Sequence, residues 1–250
     1  MNEYLKKIEE IENTEERFKY IDFLLKNNSI DIKLLEDYYA ENISWDTILF
    51  AEKYANLIDI ERLENALIKS GITRYAFYFA GRVKKANISK LEDFIVQRGD
   101  ATQILEFAIH IERANVLKLE NAIINSKSKG HIIPFARYVR GADITRLEDV
   151  IIETGNIDHI FNFALWVEGA NIPRLENEII KFRNAEYICD FAYLIEGANI
   201  DKLEDAIIDI GNAYYIEYFA SVVDEDASYE RLSIEAKEIK VMQKKKIKSK

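Results

Sequence analysis

The stretch NIPRLENEIIKFRNAEYICDFAYLIEGA, residues 171–198, decides the fold, because its pattern returns along the chain with a constant period. A Leu-Glu pair recurs at the same place in every copy, and Asp or Asn follows each pair. The leucines that mark this 28-residue period are Leu35, Leu63, Leu91, Leu119, Leu147, Leu175 and Leu203. A constant period of this length indicates one supersecondary unit stacked on copies of itself.

Each unit is predicted to hold two helices. An Asp or Asn lies four positions before every repeating leucine, where its side chain can cap the first turn of a helix. Glycine at position 71, 99, 155 or 211 is expected to end that helix in the left-handed conformation. The second helix is predicted to begin after Asp100, Asn156, Asn184 or Asn212. Its core is expected to contain a Phe-Ala pair that recurs from Phe79-Ala80 to Phe219-Ala220.

These patterns predict an all-α fold, a right-handed-type α-solenoid of about eight two-helix repeats. Residues 1–30 are predicted to form an N-terminal capping helical pair, and residues 31–226 seven tandem repeats. Residues 227–250 are predicted to form a C-terminal capping helix and a basic tail. Phe23 lies two repeat periods before Phe79 and is expected to occupy the same core position in a degenerate layer.

Charge is distributed unevenly along a chain whose net charge is −10. Residues 62–146 hold 15 basic and 8 acidic side chains, net +7, whereas residues 147–226 hold 4 and 18, net −14. Such blocks create local fields that steer partners. The lone Cys189 fits a reducing compartment, and neither a signal peptide nor a transmembrane segment is predicted. We therefore expect a cytoplasmic protein without a membrane partner.

The cassette GANIxxLExAII, followed by a Gly-Asn turn and a Phe-Ala helix, resembles HEAT-like α-solenoid repeats. It is most similar to the short versions found in bacterial and phage-encoded proteins. The resemblance covers residues 17–226 and implies a binding scaffold. It implies no catalytic residues and no cofactor.

Repetition provides an internal control for choosing functional residues. The recurring Glu after each leucine is explained by the fold, because it favours the helix dipole near the N-terminus and can pair with a basic residue such as Arg62, Lys90 or Lys118. Positions at which the copies differ are free to serve function. On the second helix the varying positions lie four residues before, one residue before and three residues after the recurring Phe. Aromatic, His and Arg residues occur at these positions, and such residues are typical of protein interfaces. The predicted protein-binding residues are Tyr75, Tyr78, Arg82, His110, His131, Tyr138, His159, Trp166, Tyr187, Asp190, Tyr215 and Tyr218. Alternatively, Trp166, Leu194 and Val222 only pack between layers.

The layer of residues 119–146 departs most from the pattern. Its turn reads SKSKG, and Pro134 stands where neighbouring layers carry ordinary helix residues, so its second helix is predicted to start late or kink. Basic residues cluster there beside Tyr138, which offers a stacking face for a base. A nucleic-acid or phosphate contact is therefore an alternative, through Lys127, Lys129, Arg137 and Arg140 or through the C-terminal tail.

The sequence does not point to an enzyme. It contains no GxGxxG, Walker, HExxH or GxSxG motif. Cys189 is expected in the core, and His131 and His159 are expected too far apart to share a zinc ion. We therefore expect a non-catalytic protein-binding scaffold, either an adaptor or an inhibitor. Its sharpest form is a phage-type inhibitor of a host defence nuclease, in which the acidic residues 147–226 occupy a cationic groove.

Overall fold

The structure is a computed structural model that describes residues 2–126, 128–222 and 226–248. The fold is all-α, and the residues described contain no strand. The chain divides into two compact units, Met1–Ser128 and Lys129–Lys250, called unit 1 and unit 2 below. No helix in the described part of the chain is both long enough and apolar enough to cross a membrane.

Unit 1 is built from consecutive helix pairs. Its helices are α1 (Glu3–Glu10), α2 (Thr14–Lys26), α3 (Ile32–Glu41), α4 (Trp45–Tyr54), α5 (Ile60–Ser70), α6 (Thr73–Arg82), α7 (Ile88–Arg98), α8 (Ala101–His110) and α9 (Val116–Asn125). First helices pack on first helices in the order α3, α5, α7, and second helices pack in the order α4, α6, α8. This stacking of helix pairs is consistent with a helical repeat solenoid.

Unit 2 continues the same construction within its own boundaries. It starts with a 3-10 turn (Lys129–His131), followed by α10 (Ile132–Tyr138), α11 (Ile144–Glu153), α12 (Ile157–Trp166), α13 (Ile172–Lys181), α14 (Ala185–Leu194), α15 (Ile200–Ile210), α16 (Ala213–Val222) and α17 (Asp226–Lys248). The second helices α10, α12, α14 and α16 pack side by side in that order, and α17 packs on α16. Residues at equivalent positions of these helices therefore lie on the same face.

The predicted helix starts are confirmed. The Asx residue before each first helix from α3 to α15 accepts a hydrogen bond from a backbone N–H of the first turn. Asp100, Asn156, Asn184 and Asn212 cap the second helices in the same way. The Phe of each Phe-Ala pair, from Phe79 to Phe219, is fully buried. Local capping and a recurring aromatic core thus define each layer.

The recurring glutamates have a role that the sequence did not predict. They are 1–6% exposed, and five of them accept a hydrogen bond of 2.5–3.0 Å from a backbone N–H 23 residues further on. That N–H belongs to the Asx that caps the next first helix, as in Asn199 N–H to Glu176 Oε2 at 2.7 Å. These five carboxylates therefore join one layer to the next, because each accepts from a backbone donor at the start of the following first helix.

The predicted ion pairs of these glutamates are confirmed for several layers and wrong for one. Arg62, Lys118, Arg174 and Lys202 lie within 2.7–3.6 Å of the glutamate of the preceding layer. Lys90 instead pairs with Glu61, at 3.4 Å. Where an Asp follows the glutamate, one cation reaches both carboxylates; these aspartates are Asp37, Asp93, Asp149 and Asp205.

Three local expectations need correction or extension. Gly99 is extended rather than left-handed, with φ −75°, and glycine is needed there because a Cβ would lie 2.6 Å from the Ile95 carbonyl oxygen. Arg183 occupies the slot of Gly155 and Gly211 and takes a left-handed φ of 52°. Phe23 is 60% exposed, so it is not a core residue; α2 buries Phe18, Ile21 and Leu24 instead.

The layer with Pro134 is irregular as predicted. The 3-10 turn precedes α10, which contains 7 residues where the other second helices from α4 to α16 contain 10. Pro134 lies in the first turn of α10, where the absence of its N–H leaves no helical hydrogen bond unmade. The late start of this helix is therefore confirmed.

Candidate functional site

The predicted protein-binding residues all lie on second helices or on the 3-10 turn, and none of them is fully buried. The recurring Phe on the same helices is at the core, so the varying positions flank the core and reach the surface. The structure brings these residues together in three separate groups, one in unit 1 and two in unit 2.

The unit 1 group centres on Tyr78 and Arg82. The ring of Tyr78 meets the edge of Trp45 with centroids 4.9 Å apart, and the guanidinium of Arg82 lies 5.6 Å from the Trp45 ring. The Arg82 side chain also donates to Glu52 at 2.7 Å. Phe77 connects Tyr78 to His110 through two edge contacts.

Trp45 was missed by the sequence analysis. It is 38% exposed and begins α4, in a layer whose register departs from the repeat pattern. The presence of tryptophan in this degenerate layer could have identified it as a candidate binding residue, because the repeat does not require a tryptophan there.

The first group in unit 2 combines Arg137, Tyr138 and Trp166. The Arg137 guanidinium lies 4.9 Å from the ring of Trp166 and 5.1 Å from the ring of Tyr138. The Trp166 Nε1–H donates to Asn162 Oδ1 at 3.3 Å. Tyr138 is 56% exposed and Trp166 is 48% exposed. Trp166 and Leu194 do not only pack between layers, since both are about half exposed, whereas Val222, the third residue of that alternative, is half-buried.

A groove of about 500 Å³ lies beside this group. Trp166 and Leu194 line it together with Leu165 and Ile172, and Glu168 and Glu196 stand at its rim. The two glutamates lie one repeat period apart and occupy equivalent loops. Neither glutamate was predicted as a site residue; the variation of this loop position, from Lys84 to Glu196, was the signal that could have identified them.

The second group in unit 2 combines tyrosines with carboxylates. Tyr187 O–H donates to Asp158, and this bond, together with burial, raises the pKa of Tyr187 to about 12. Burial and the nearby Glu186 raise the pKa of Asp190. Burial, Glu186 and Asp190 also raise the pKa of Tyr215. Tyr218 is 39% exposed one turn further along α16. The carboxylates Asp158, Glu186 and Asp190 give this face of α12 and α14 a negative charge.

The histidines do not form a common site in the structure described. His110 contacts Phe77, His131 ends the 3-10 turn, and the backbone N–H of His159 bonds to the cap residue Asn156. Within the described ranges no group of three or more His, Cys, Asp or Glu side chains is arranged to hold a metal ion. Cys189 is fully buried, and burial raises the pKa of its thiol to about 12. A thiol in that state is a poor nucleophile.

The predicted nucleic-acid contacts are only partly described. Lys127 lies outside the described residues. Lys129 begins the 3-10 turn, Arg137 stacks on Tyr138 and Trp166, and Arg140 is exposed in the loop after α10. A cation and stacking faces are thus adjacent at Arg137.

Comparison of the chain with known protein families, with curated proteins and with solved structures found no match.

Proposed function

We propose that this protein is a non-catalytic protein-binding scaffold, an adaptor or an inhibitor, that uses the variable face of its second helices. The observation that carries the proposal is the exposure of Tyr138, Trp166 and Leu194 at one repeat position of unit 2. In unit 1 the same position holds Arg82 and His110, so the fold does not require an apolar residue there. Exposed aromatic residues that the fold does not require are typical of binding hot spots.

The finer features of the fold belong to the same proposal. A right-handed HEAT-like solenoid of about eight repeats, capped at both ends, would present the second helices as one binding face. Stacked repeats of this kind use an extended surface instead of a closed pocket, which suits a macromolecular partner. The expected location is the cytoplasm, in agreement with a single buried cysteine.

The sharpest form of the proposal is inhibition of a cationic enzyme, such as a host defence nuclease. Residues 147–226 carry 18 acidic and 4 basic side chains, and three of the four basic residues, Arg174, Lys181 and Lys202, lie on the first helices α13 and α15. Glu186 and Asp190 on α14 form no ion pair with another described residue. A row of such carboxylates on second helices resembles the charge of a polyanion and suits a cationic groove.

The test is affinity capture from a lysate of the native host after nuclease treatment, comparing the wild type with the double variant Tyr138→Ala/Trp166→Ala. We expect a protein that the wild type retains and the double variant loses by about tenfold or more, as truncated aromatic hot spots do. Phe182→Ala is the matched control, because Phe182 is an exposed aromatic residue at the end of the first helix α13. Equal loss with the control variant would count against the proposal.

A nucleic-acid-binding module is the second candidate, favoured by the stacking of Arg137 between Tyr138 and Trp166. Guanidinium and aromatic faces together form the platform on which single-stranded bases stack. This candidate predicts binding that weakens steeply with salt and that Lys129→Ala/Arg137→Ala reduces. Fluorescence anisotropy with labelled single-stranded DNA and RNA at several salt concentrations measures both effects.

A further inference from the structure

The exposed apolar residues of unit 2 form a continuous ridge. Tyr138, Trp166 and Leu194 lie one repeat period apart on α10, α12 and α14, which pack side by side in that order. They are 56%, 48% and 47% exposed. Arg137 bridges the first two rings, and the groove of about 500 Å³ joins Trp166 to Leu194. Apolar side chains at one position of three successive layers offer a long docking surface and not an isolated contact.

The rim of this ridge is acidic beside the groove between Trp166 and Leu194. Glu168 and Glu196 line the groove and are exposed, and neither side chain forms an ion pair or hydrogen bond with another described residue. The other end of the ridge carries Arg137 and Arg140. The groove between α12 and α14 therefore combines apolar walls with two carboxylates that are free to take cationic partners.

Charge complementarity points to the chemistry of the occupant. A neutral apolar segment would cover Glu168 and Glu196 and leave them desolvated without partners, which is unfavourable. An acidic segment or a nucleic acid would be repelled by these carboxylates and by the net charge of −14 over residues 147–226. A segment with both apolar and basic side chains can pack against the apolar walls and pair with the two carboxylates at the rim.

We propose that this groove receives a segment of a protein partner in which apolar side chains are flanked by lysine or arginine. The inference rests on the proposed protein-binding function and adds the chemistry of the partner. Equivalent positions in adjacent layers are about 8–10 Å apart. Residues i and i+7 of a helix lie on the same face about 10 Å apart. Two apolar side chains at that spacing match Trp166 and Leu194.

The test uses short synthetic peptides and the emission of Trp166. The chain has two tryptophans, so a Trp45→Phe background makes Trp166 the sole reporter in the groove. Three peptides of equal length are titrated: leucines flanked by lysines, the same leucines flanked by glutamates, and alanines flanked by lysines. We expect the Leu/Lys peptide to shift Trp166 emission to shorter wavelength and to bind at least about tenfold more tightly than the other two, since walls and rim both contribute.

Two charge-reversal variants distinguish binding at the groove from general attraction of a basic peptide to an acidic protein. Glu168→Lys/Glu196→Lys is expected to weaken binding of the Leu/Lys peptide by about tenfold, and to do so less at high salt. The matched control is Glu153→Lys/Asp201→Lys, which makes the same charge change at exposed positions on the first helices α11 and α15. Circular dichroism melts of both variants verify folding. Equal weakening by the control, or equal affinity for the Ala/Lys peptide, would overturn the proposal.

Two further outcomes are informative. A second copy of this chain also carries apolar and basic residues together, since α17 exposes Val241 and Met242 beside Lys237. Concentration-dependent association in sedimentation experiments that Glu168→Lys/Glu196→Lys abolishes would make the second copy the occupant and overturn the partner proposal. If Tyr138→Ala/Trp166→Ala loses the captured protein while the charge-reversed groove retains it, the scaffold function stands and the proposed partner chemistry is wrong.

Discussion

At the scale of single residues, the recurring glutamates are the most informative feature of the scaffold. Each was expected to serve the helix dipole or a surface ion pair, yet each is buried. Five of the carboxylates bind the backbone of the next layer, so they hold those layers in register. Removing such a buried carboxylate is destabilising, because its backbone donor and its cationic partner are left without an acceptor.

The clearest case is Glu176, which accepts from Asn199 N–H and from Lys202 Nζ, both at 2.7 Å. Glu176→Ala leaves the Asn199 N–H without its partner and should destabilise the chain by about 1–3 kcal/mol. Glu178→Ala, which removes a surface pair with Lys181 on the same helix, should cost no more than about 0.5 kcal/mol. Urea unfolding of both variants makes the comparison. Similar small losses for the two would show that Glu176 does not join the layers.

Glu64 allows a test by pH. Burial raises the pKa of Glu64 above its usual value, although the Asn87 N–H and Lys90 favour the carboxylate. The folded chain therefore holds this proton more tightly than the unfolded chain, and the resulting stability is present at low pH and is lost as pH rises through the raised pKa. We expect the wild type to gain stability relative to Glu64→Gln as pH falls from 7 towards the usual Glu value. Urea unfolding at pH 7 and pH 5 measures this difference, and an unchanged or reversed difference would contradict it.

At the scale of helices, the elements could be predicted because their signals are local. An Asx cap acts within the first turn of its own helix, and the recurring Phe needs only a neighbouring helix to cover it. The expectations that were wrong depend on neighbours in space. Phe23 is exposed because α2 buries Phe18, Ile21 and Leu24 instead, and Gly99 is extended because the turn before α8 approaches Ile95 closely. Repetition could identify positions, but not the contacts made in layers where the register changes.

The turn between α13 and α14 stores strain that glycine would relieve. Arg183 has a φ of 52°, whereas Gly155 and Gly211 have φ values of 60° and 71° at the equivalent positions. The ion pair of Arg183 with Asp209 is exposed, so it contributes little stability to offset the backbone strain. We expect Arg183→Gly to stabilise the chain by about 0.5–1 kcal/mol, because left-handed backbone disfavours a Cβ.

The reciprocal control is Gly211→Ala, which introduces a Cβ at the same turn one layer later and should destabilise by about 1 kcal/mol. Thermal denaturation followed by circular dichroism reports both changes. Destabilisation by Arg183→Gly would mean that the contacts of Arg183 with Asp209 outweigh its backbone strain.

At the scale of the whole molecule, the proposed function depends on the positions that the repeats leave free to vary. The buried leucines, phenylalanines and glutamates recur because every layer needs them, while the second helices vary. By this logic the sequence predicted residues of the second helices that the structure places outside the buried core. It could not identify the groove, because the convergence of Trp166, Leu194, Glu168 and Glu196 depends on how α12 and α14 pack.

The central claim is that the second helices form the binding face for a protein. Hydrogen exchange of the chain with and without the partner captured after nuclease treatment tests it most directly. The account predicts slower exchange on α10, α12 and α14 in the complex, with the first helices α11, α13 and α15 unchanged. Protection confined to the first helices would contradict this claim. So would a capture experiment in which no protein is retained after nuclease treatment.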